Sequence, residues 1–430
     1  MSRPREQVSP PSPQARDPMF LKFRLYGFLK NLRFFDPFLL LYFRESGLSF
    51  LSIGALYSVR AITVNVLEIP TGLIADTYGR RRSLIAAFAC YLGSFALLFA
   101  LRRFTAFALS MVLFGIGEAF RSGTHKALIL EHLRQQGRQD EKVAYYGRTR
   151  AASQLGSAVS ALIAAGLVFG TGGYRVVFLA SVAPYVLGLL LILTYPPRLD
   201  ARDPSLTGGH KAAQRLKSSA RIWLAMFRRM SLNLAMINSA TFSALFSSVK
   251  DYLQPLLQSQ AIALPFLFAF SETQRVALLI GAMYASLYGC TSLAASLAGT
   301  VEARSRSISS AANGTFSVGA LVLVAAGISA WLQWYALAAV AFVALYVIHN
   351  VRRPLMVGYL AGLIPHQAMA SGLSAESQAK SLLVAGFAPL VGWLADRLGI
   401  GPAILVAGAA ALVLLPLLRV GSQRPSIPVS

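Results

Sequence analysis

A carboxylate, a guanidinium, an imidazole and an amine fall within nine residues of one another in the stretch Gly115-Ile116-Gly117-Glu118-Ala119-Phe120-Arg121-Ser122-Gly123-Thr124-His125-Lys126, which continues an apolar run. Glu118, Arg121 and His125 are spaced three and four apart, so on a helix they share one face. Lys126 lies beside that face, four residues beyond Ser122. Such a face can carry a proton or grip an anionic group. It can also close on itself as a structural ion-pair ladder, and His125 and Lys126 can simply snorkel to a membrane surface. All three readings stay open. Asp36, followed by Pro37, and Arg60 lie in two further apolar runs. A carboxylate beside a helix-distorting proline suits proton or cation coupling; the alternative is a salt bridge to Arg60 or Arg33. Lys250-Asp251 read as interfacial rather than substrate-binding, Glu376 and Lys380 as a mutually satisfied pair four residues apart, and Arg352-Arg353 as anchors at a helix end.

Composition decides what kind of solvent surrounds these charges. Of 430 residues, 55 % are hydrophobic and 13 % charged, with a mean hydropathy of +0.57. A soluble domain carries about 25 % charged residues, so the chain is read as a membrane protein. Its net charge of +23 then indicates loops held against an anionic lipid leaflet rather than nucleic acid. Cys90 and Cys290 lie singly in apolar runs, without metal-like spacing or an obvious partner. No metal or cofactor is expected. A phosphate-binding G-x-x-x-x-G-K-[ST] loop is absent from the sequence, which speaks against nucleotide-driven work. The five histidines (125, 132, 210, 349 and 366) are scattered and form no nucleophile–base set, which speaks against an enzyme acting on lipid. The first apolar run carries Lys30, Arg33 and Asp36, unlike a signal peptide.

Twelve apolar runs predict twelve spanning helices: about 25–44, 50–75, 83–101, 104–130, 151–170, 175–195, 231–257, 275–298, 308–328, 332–362, 371–394 and 401–418. The expected organisation is a disordered basic tail (1–24), a six-helix bundle (25–196), a basic central loop (197–229), a second six-helix bundle (230–420) and a short tail (421–430). Residues 131–150 read as a polar connection. With both termini inside, Arg80–Arg82, the 131–150 cluster, the central loop and Arg304/Arg306 all face the cytoplasm, a clear positive-inside bias.

The turn between spans 2 and 3 is the most specific stretch. It reads Gly72-Leu73-Ile74-Ala75-Asp76-Thr77-Tyr78-Gly79-Arg80-Arg81-Arg82-Ser83-Leu84. The two glycines are expected to permit a tight reversal, and the arginines to pin the turn to the cytoplasmic face. The stretch resembles the signature loop of the major facilitator superfamily, G-x-L-A-D-R-x-G-R-R/K-x-x-L. Gly72, Ala75, Asp76, Gly79, Arg80, Arg81 and Leu84 match; Ile74 and Thr77 depart from it. A second copy without the basic pair, Gly392-Trp393-Leu394-Ala395-Asp396-Arg397-Leu398-Gly399, follows span 11. It fits an inverted three-helix repeat within each half.

The resemblance implies an all-α integral membrane fold of two six-helix bundles. Spans 1, 4, 7 and 10 would line a central path and spans 2, 5, 8 and 11 would flank it. The in-membrane charges fall in that pattern, since spans 3, 5, 6, 8, 9 and 12 carry none in their centres. It implies that Asp76 contacts the N-terminus of span 11 when the inner side is closed, with Arg81 holding Asp76. It also implies secondary transport of a small solute by alternating access, with a proton gradient as the default coupling and Asp36 and Glu118 as carriers. Met111 replaces the arginine expected four residues before Gly115, and the span 5 G-x-x-x-G-P-x-x-G-G pattern is absent, which weakens a drug/proton antiporter. The expected function is proton-coupled efflux of a small compound, with uptake of an anionic solute and a non-transporting scaffold as alternatives. A monomer is expected, in a bacterial cytoplasmic membrane.

Overall fold

The structure, a computed structural model, describes residues 17–200, 230–264, 269–294, 297–305, 307–364 and 369–421. Residues 1–16 and 422–430 of the expected tails, most of the central loop, Arg306, His210 and His366 lie outside the described residues. Residues 17–24 are not tail, because Asp17 caps a helix that starts at Pro18 and buries Met19, Phe20 and Phe23. The described residues contain no strand; their helices are α1 (Pro18–Lys30), α2 (Leu39–Glu45), α3 (Phe50–Tyr78), α4 (Arg80–Ala100), α5 (Phe104–Arg121), α6 (Thr124–Gln135), α7 (Lys142–Thr171), α8 (Val176–Leu193), α9 (Met230–Val249), α10 (Leu253–Ala263), α11 (Glu272–Ala294), α12 (Ala298–Arg304), α13 (Ile308–Trp331), α14 (Tyr335–Ala361), α15 (Met369–Leu398) and α16 (Ile400–Leu418). They build the twelve spans, of which ten are long and apolar enough to cross a membrane by length and composition alone. The other two are span 1, broken into α1 and α2, and span 8, formed by α11.

Three spans depart from continuous helices. Span 1 stops at Lys30 and resumes at Leu39. Pro37 cannot donate a backbone hydrogen bond and disfavours helical angles at Asp36; residues 34–38 form turns instead of helix. The amide of Gln254, fully buried on α10, repairs the gap: Nε2 donates to the Asp36 carbonyl (3.0 Å) and Oε1 accepts from the Leu40 and Leu41 amides (3.0 and 3.4 Å). Span 4 breaks at Ser122-Gly123, where Gly123 takes a left-handed conformation (φ +71°) that other residues adopt only with strain. Span 7 breaks at a 3-10 turn, Lys250–Tyr252. The polar stretch 131–150 is not a plain connection, because α6 extends to Gln135 and α7 begins at Lys142.

The first half packs α4 on α5 and α8, and α1 on α7; the second packs α13 on α14 and α16. Small residues set these close approaches, as expected where lipid offers no hydrophobic drive between helices. The halves meet along two antiparallel seams, α3 on α15 and α7 on α11. On the first seam, a Cβ at Gly54 would fall 2.4 Å from the Ala388 carbonyl oxygen, and one at Gly392 2.3 Å from that of Phe50. Only glycine lets the start of α3 and the end of α15 touch. This defines an Asp396 end and, at the far end of α3, an Asp76 end.

The two signature-like turns are built alike. Gly79 (φ +111°) and Gly399 (φ +92°) each close one helix and open the next. Each amide donates to the carbonyl four residues back, at 3.1 Å, and each carbonyl accepts from the amide four residues on, at 3.2 Å. Gly72 takes no part in the reversal: it lies within α3, which runs unbroken to Tyr78.

Asp17 fastens the start of α1. It caps the Met19 amide (3.0 Å) and accepts from His132 Nε2 of α6 (2.9 Å) and from Tyr145 of α7 (3.2 Å). Burial pushes its carboxyl up, but these bonds outweigh burial and hold it below the usual carboxylate range. Its contribution is therefore complete above the unfolded carboxylate pKa and is lost as pH falls through the lower folded value. Asp17→Ala removes the cap, worth about 0.5–2 kcal/mol, and strands His132. Thermal unfolding in detergent should show a midpoint lower by several degrees near neutral pH. An unchanged midpoint would dismiss this fastening.

Candidate functional site

A cavity of about 520 Å³ lies between the halves, walled by α3, α5, α15, the segment after α1 and the α9–α10 turn. Arg60 stands ten residues into α3 and Glu118 fourteen residues into α5. At about 1.5 Å per residue both sit near the middle of a ~30 Å hydrocarbon layer. Arg60 Nε donates to Glu118 Oε2 at 2.9 Å, and Arg33 approaches Glu118 Oε1 at 3.7 Å and Asp36 Oδ2 at 3.8 Å. Two arginines and two carboxylates thus form one chain, Asp36–Arg33–Glu118–Arg60. Phe114 lies under both guanidinium groups, 4.9 Å from Arg60 and 5.7 Å from Arg33, where its ring face favours cations.

Arg121, one turn on, is outside that chain. Its Nε donates to the Tyr91 hydroxyl (3.1 Å), and no carboxylate among the described residues comes within 4 Å. Across the cavity, Lys380 of α15 is likewise without an ion-pair partner among the described residues. Glu376 does not pair with it but accepts from Ser239 (2.8 Å). Lys250 pairs with Asp251 (2.5 Å). Both line the cavity, so the interfacial reading of this pair is corrected: the turn that breaks span 7 aims them inward. Arg352 is no surface anchor either. It is 2 % exposed and bonds to Asn238, the Ala312 carbonyl and Thr315.

A second cavity of about 340 Å³ opens beyond Arg121 and Ser122, lined also by Lys30, His125, Lys126, Arg150 and Arg353. The break at Gly123 is why His125 and Lys126 do not share the face of Glu118. His125 stacks on Tyr26 (centroids 3.8 Å apart) and Lys126 lies over Tyr146 (5.6 Å). His349 stacks on Phe246 (4.0 Å) and lines neither cavity. Sequence reasoning selected Asp36, Arg60, Glu118, Arg121, His125 and Lys126, which the structure distributes over the two cavities. It did not select Arg33, Lys250, Asp251 or Lys380. The spacing Arg33-x-x-Asp36 could have signalled the first.

The ends of the cavity differ. At the Asp396 end the halves are tied: Asp396 accepts from the Phe50 and Leu51 amides (2.9 and 2.8 Å), capping the N-terminus of α3, and Gln254 ties the start of α2 to α10. Deeper ties join Ser58 to the Ala385 carbonyl (2.6 Å) and Asn65 to that of Gln378 (2.9 Å). At the other end Asp76 is 43 % exposed and pairs within its own half with Arg80 at 3.5 Å. Arg81 is not its partner. The Arg81 guanidinium donates to the Leu193 carbonyl (2.6 Å) and its amide to Asp200 (2.7 Å), the carboxylate that a Cβ on Gly79 would strike. The span 6 connection thereby caps α4, which the sequence did not disclose.

Two helical bundles, antiparallel seams and a charged cavity tied shut at one end define a membrane transporter fold. The model of the Major Facilitator Superfamily matches residues 31–379, and the chain belongs to that superfamily. No curated protein matches it in sequence at a significant level. Among solved structures it is similar to the nucleoside transporter NupG (TM-score 0.72, 14 % identity, covering 94 % of this chain and 98 % of that one). It is also similar to a POT family transporter in complex with 5-aminolevulinic acid (0.68, 15 %, 93 % and 94 %) and to a D-xylose-proton symporter (0.66, 16 %, 93 % and 96 %). At such identities the likeness is one of fold alone.

Proposed function

We propose that this transporter carries a small solute by alternating access, with protons as the coupling ion. The observation that carries the reading is the mid-depth cavity walled by both halves and tied shut at the Asp396 end. The distribution of basic residues supports a cytoplasmic Asp76 end, and with that orientation the cavity faces inward. Glu118 is the proposed proton carrier, with Asp36 as its neighbour on the same chain: protonating Glu118 dissolves two ion pairs at once and loosens α5 from α3 and from the segment after α1. Efflux of a small organic compound and uptake of an anionic one both run through this cycle, and Arg121 and Lys380, cations without an ion-pair partner among the described residues, favour the second.

Proteoliposomes with an imposed proton gradient, a pH-sensitive dye and a panel of charged and neutral solutes test the reading. Solute-dependent proton movement is expected. Neither proton movement nor solute counterflow with any member would leave a non-transporting protein of the same fold.

A further inference from the structure

We propose that the solute is an oxyanion, a carboxylate or phosphate bearer, and that the second cavity is its docking vestibule on the way to Arg121. The inference rests on the transport reading above and concerns only what the site accepts.

The argument is one of unmatched charge. In the central cavity Arg60 and Arg33 are engaged by Glu118 and Asp36, and Lys250 by Asp251. Arg121 and Lys380 remain, one from each half, without a carboxylate within 4 Å among the described residues, against one carboxylate outside the ion pairs, Glu68, which accepts from Ser122 (3.0 Å). Tyr91 holds Arg121 by Nε alone, which leaves its two terminal nitrogens as a fork of the kind that carboxylates and phosphates match. The vestibule repeats the imbalance more strongly. Lys30, Lys126, Arg150 and Arg353 join Arg121 in its wall, and no carboxylate among the described residues lines it. Among the described residues the two cavities together carry nine basic side chains, Arg121 counted once, against four carboxylates, Asp36, Glu68, Glu118 and Asp251.

Cations gathered between low-dielectric walls repel one another, and the potential they create concentrates anions and rejects cations. Such an arrangement is costly in a membrane unless a counter-charge visits it. Arg121 and Ser122 line both cavities, so an anion passing from the vestibule to the centre can keep one guanidinium contact throughout. In the centre it would meet Lys380 from the other half, and bridging the two halves is what an occupied cavity must do to couple binding to closure.

Four probes on one skeleton test this with the purified full chain in detergent: benzoate, phenyl phosphate, benzyl alcohol and benzylamine. Thermal stabilisation and equilibrium binding should be seen with benzoate or phenyl phosphate only, and should weaken as salt rises. Arg121→Gln should lower the affinity about tenfold or more, Arg121→Lys should restore little of it, and Lys380→Gln provides a second variant should Arg121→Gln not fold. Binding of benzylamine or benzyl alcohol as tight as the anions, no binding of either anion, or equal anion affinity in all variants overturns the proposal. So does stabilisation by phosphatidylglycerol in mixed micelles alone, which would assign the cations to a lipid headgroup. Counterflow in proteoliposomes separates the two readings. Anion binding without flux removes transport and keeps the anion site, whereas flux of the amine or alcohol alone keeps transport and removes it.

Discussion

Glu118→Gln is expected to abolish uphill, proton-driven accumulation while leaving counterflow of the same solute in place. The amide is nearly isosteric and can still accept from Arg60, so the cavity keeps its shape. What it loses is the negative charge that joins Arg33 to Arg60, at 3.7 and 2.9 Å, and the ability to take up a proton. A coupled carrier without its titrating group can exchange solute for solute but cannot harvest a gradient. Two arginines left without this carboxylate will cost some stability. The cost should fall short of the roughly 3–5 kcal/mol seen when one partner of a dry buried pair is removed, because the cavity is open at one end. The measurement is accumulation against counterflow in the same proteoliposome preparation, with expression and thermal midpoint as controls. Full accumulation with an unchanged pH dependence would remove Glu118 from the mechanism.

Asp396→Asn is expected to open the sealed end. Its two carboxylate oxygens sit on the first amides of α3, 2.9 and 2.8 Å away, where the helix presents unpaired N–H groups and a partial positive charge. The site is exposed, so a contribution of about 1–2 kcal/mol is appropriate, which corresponds to roughly a five- to thirty-fold change in the balance between states. We propose that Asp76 does the same at the other end, toward the N-terminus of α15, when that end closes; in this structure it pairs with Arg80 at 3.5 Å. The two carboxylates are therefore expected to act in opposite senses: Asp396→Asn raises labelling of single cysteines placed at the Asp396 end, and Asp76→Asn lowers it. Both readings use a background in which Cys90 and Cys290 are replaced, since both are partly accessible. The same direction of change in both variants, or no change in either, would dismiss this pair of latches.

The elements themselves were legible in the sequence because their length and polarity are set by the bilayer. The expected span at about 308–328 became Ile308–Trp331, and that at about 401–418 became Ile400–Leu418, since an apolar run of that length has no other stable home. The signature turn was legible too, because a left-handed glycine and a basic cluster are local demands. What the sequence could not decide was where those spans break and which charges meet. Span 1 is interrupted at a proline whose freed backbone groups are satisfied by Gln254, more than two hundred positions away. Gly123 turns His125 and Lys126 from the face of Glu118 into a different cavity, although helical spacing had put Glu118, Arg121 and His125 on one face. Lys380 looked satisfied by Glu376, until packing gave Glu376 to Ser239. Periodicity places a side chain on a face, but its partner is chosen by the helix opposite, and that choice exists only once the two halves are packed.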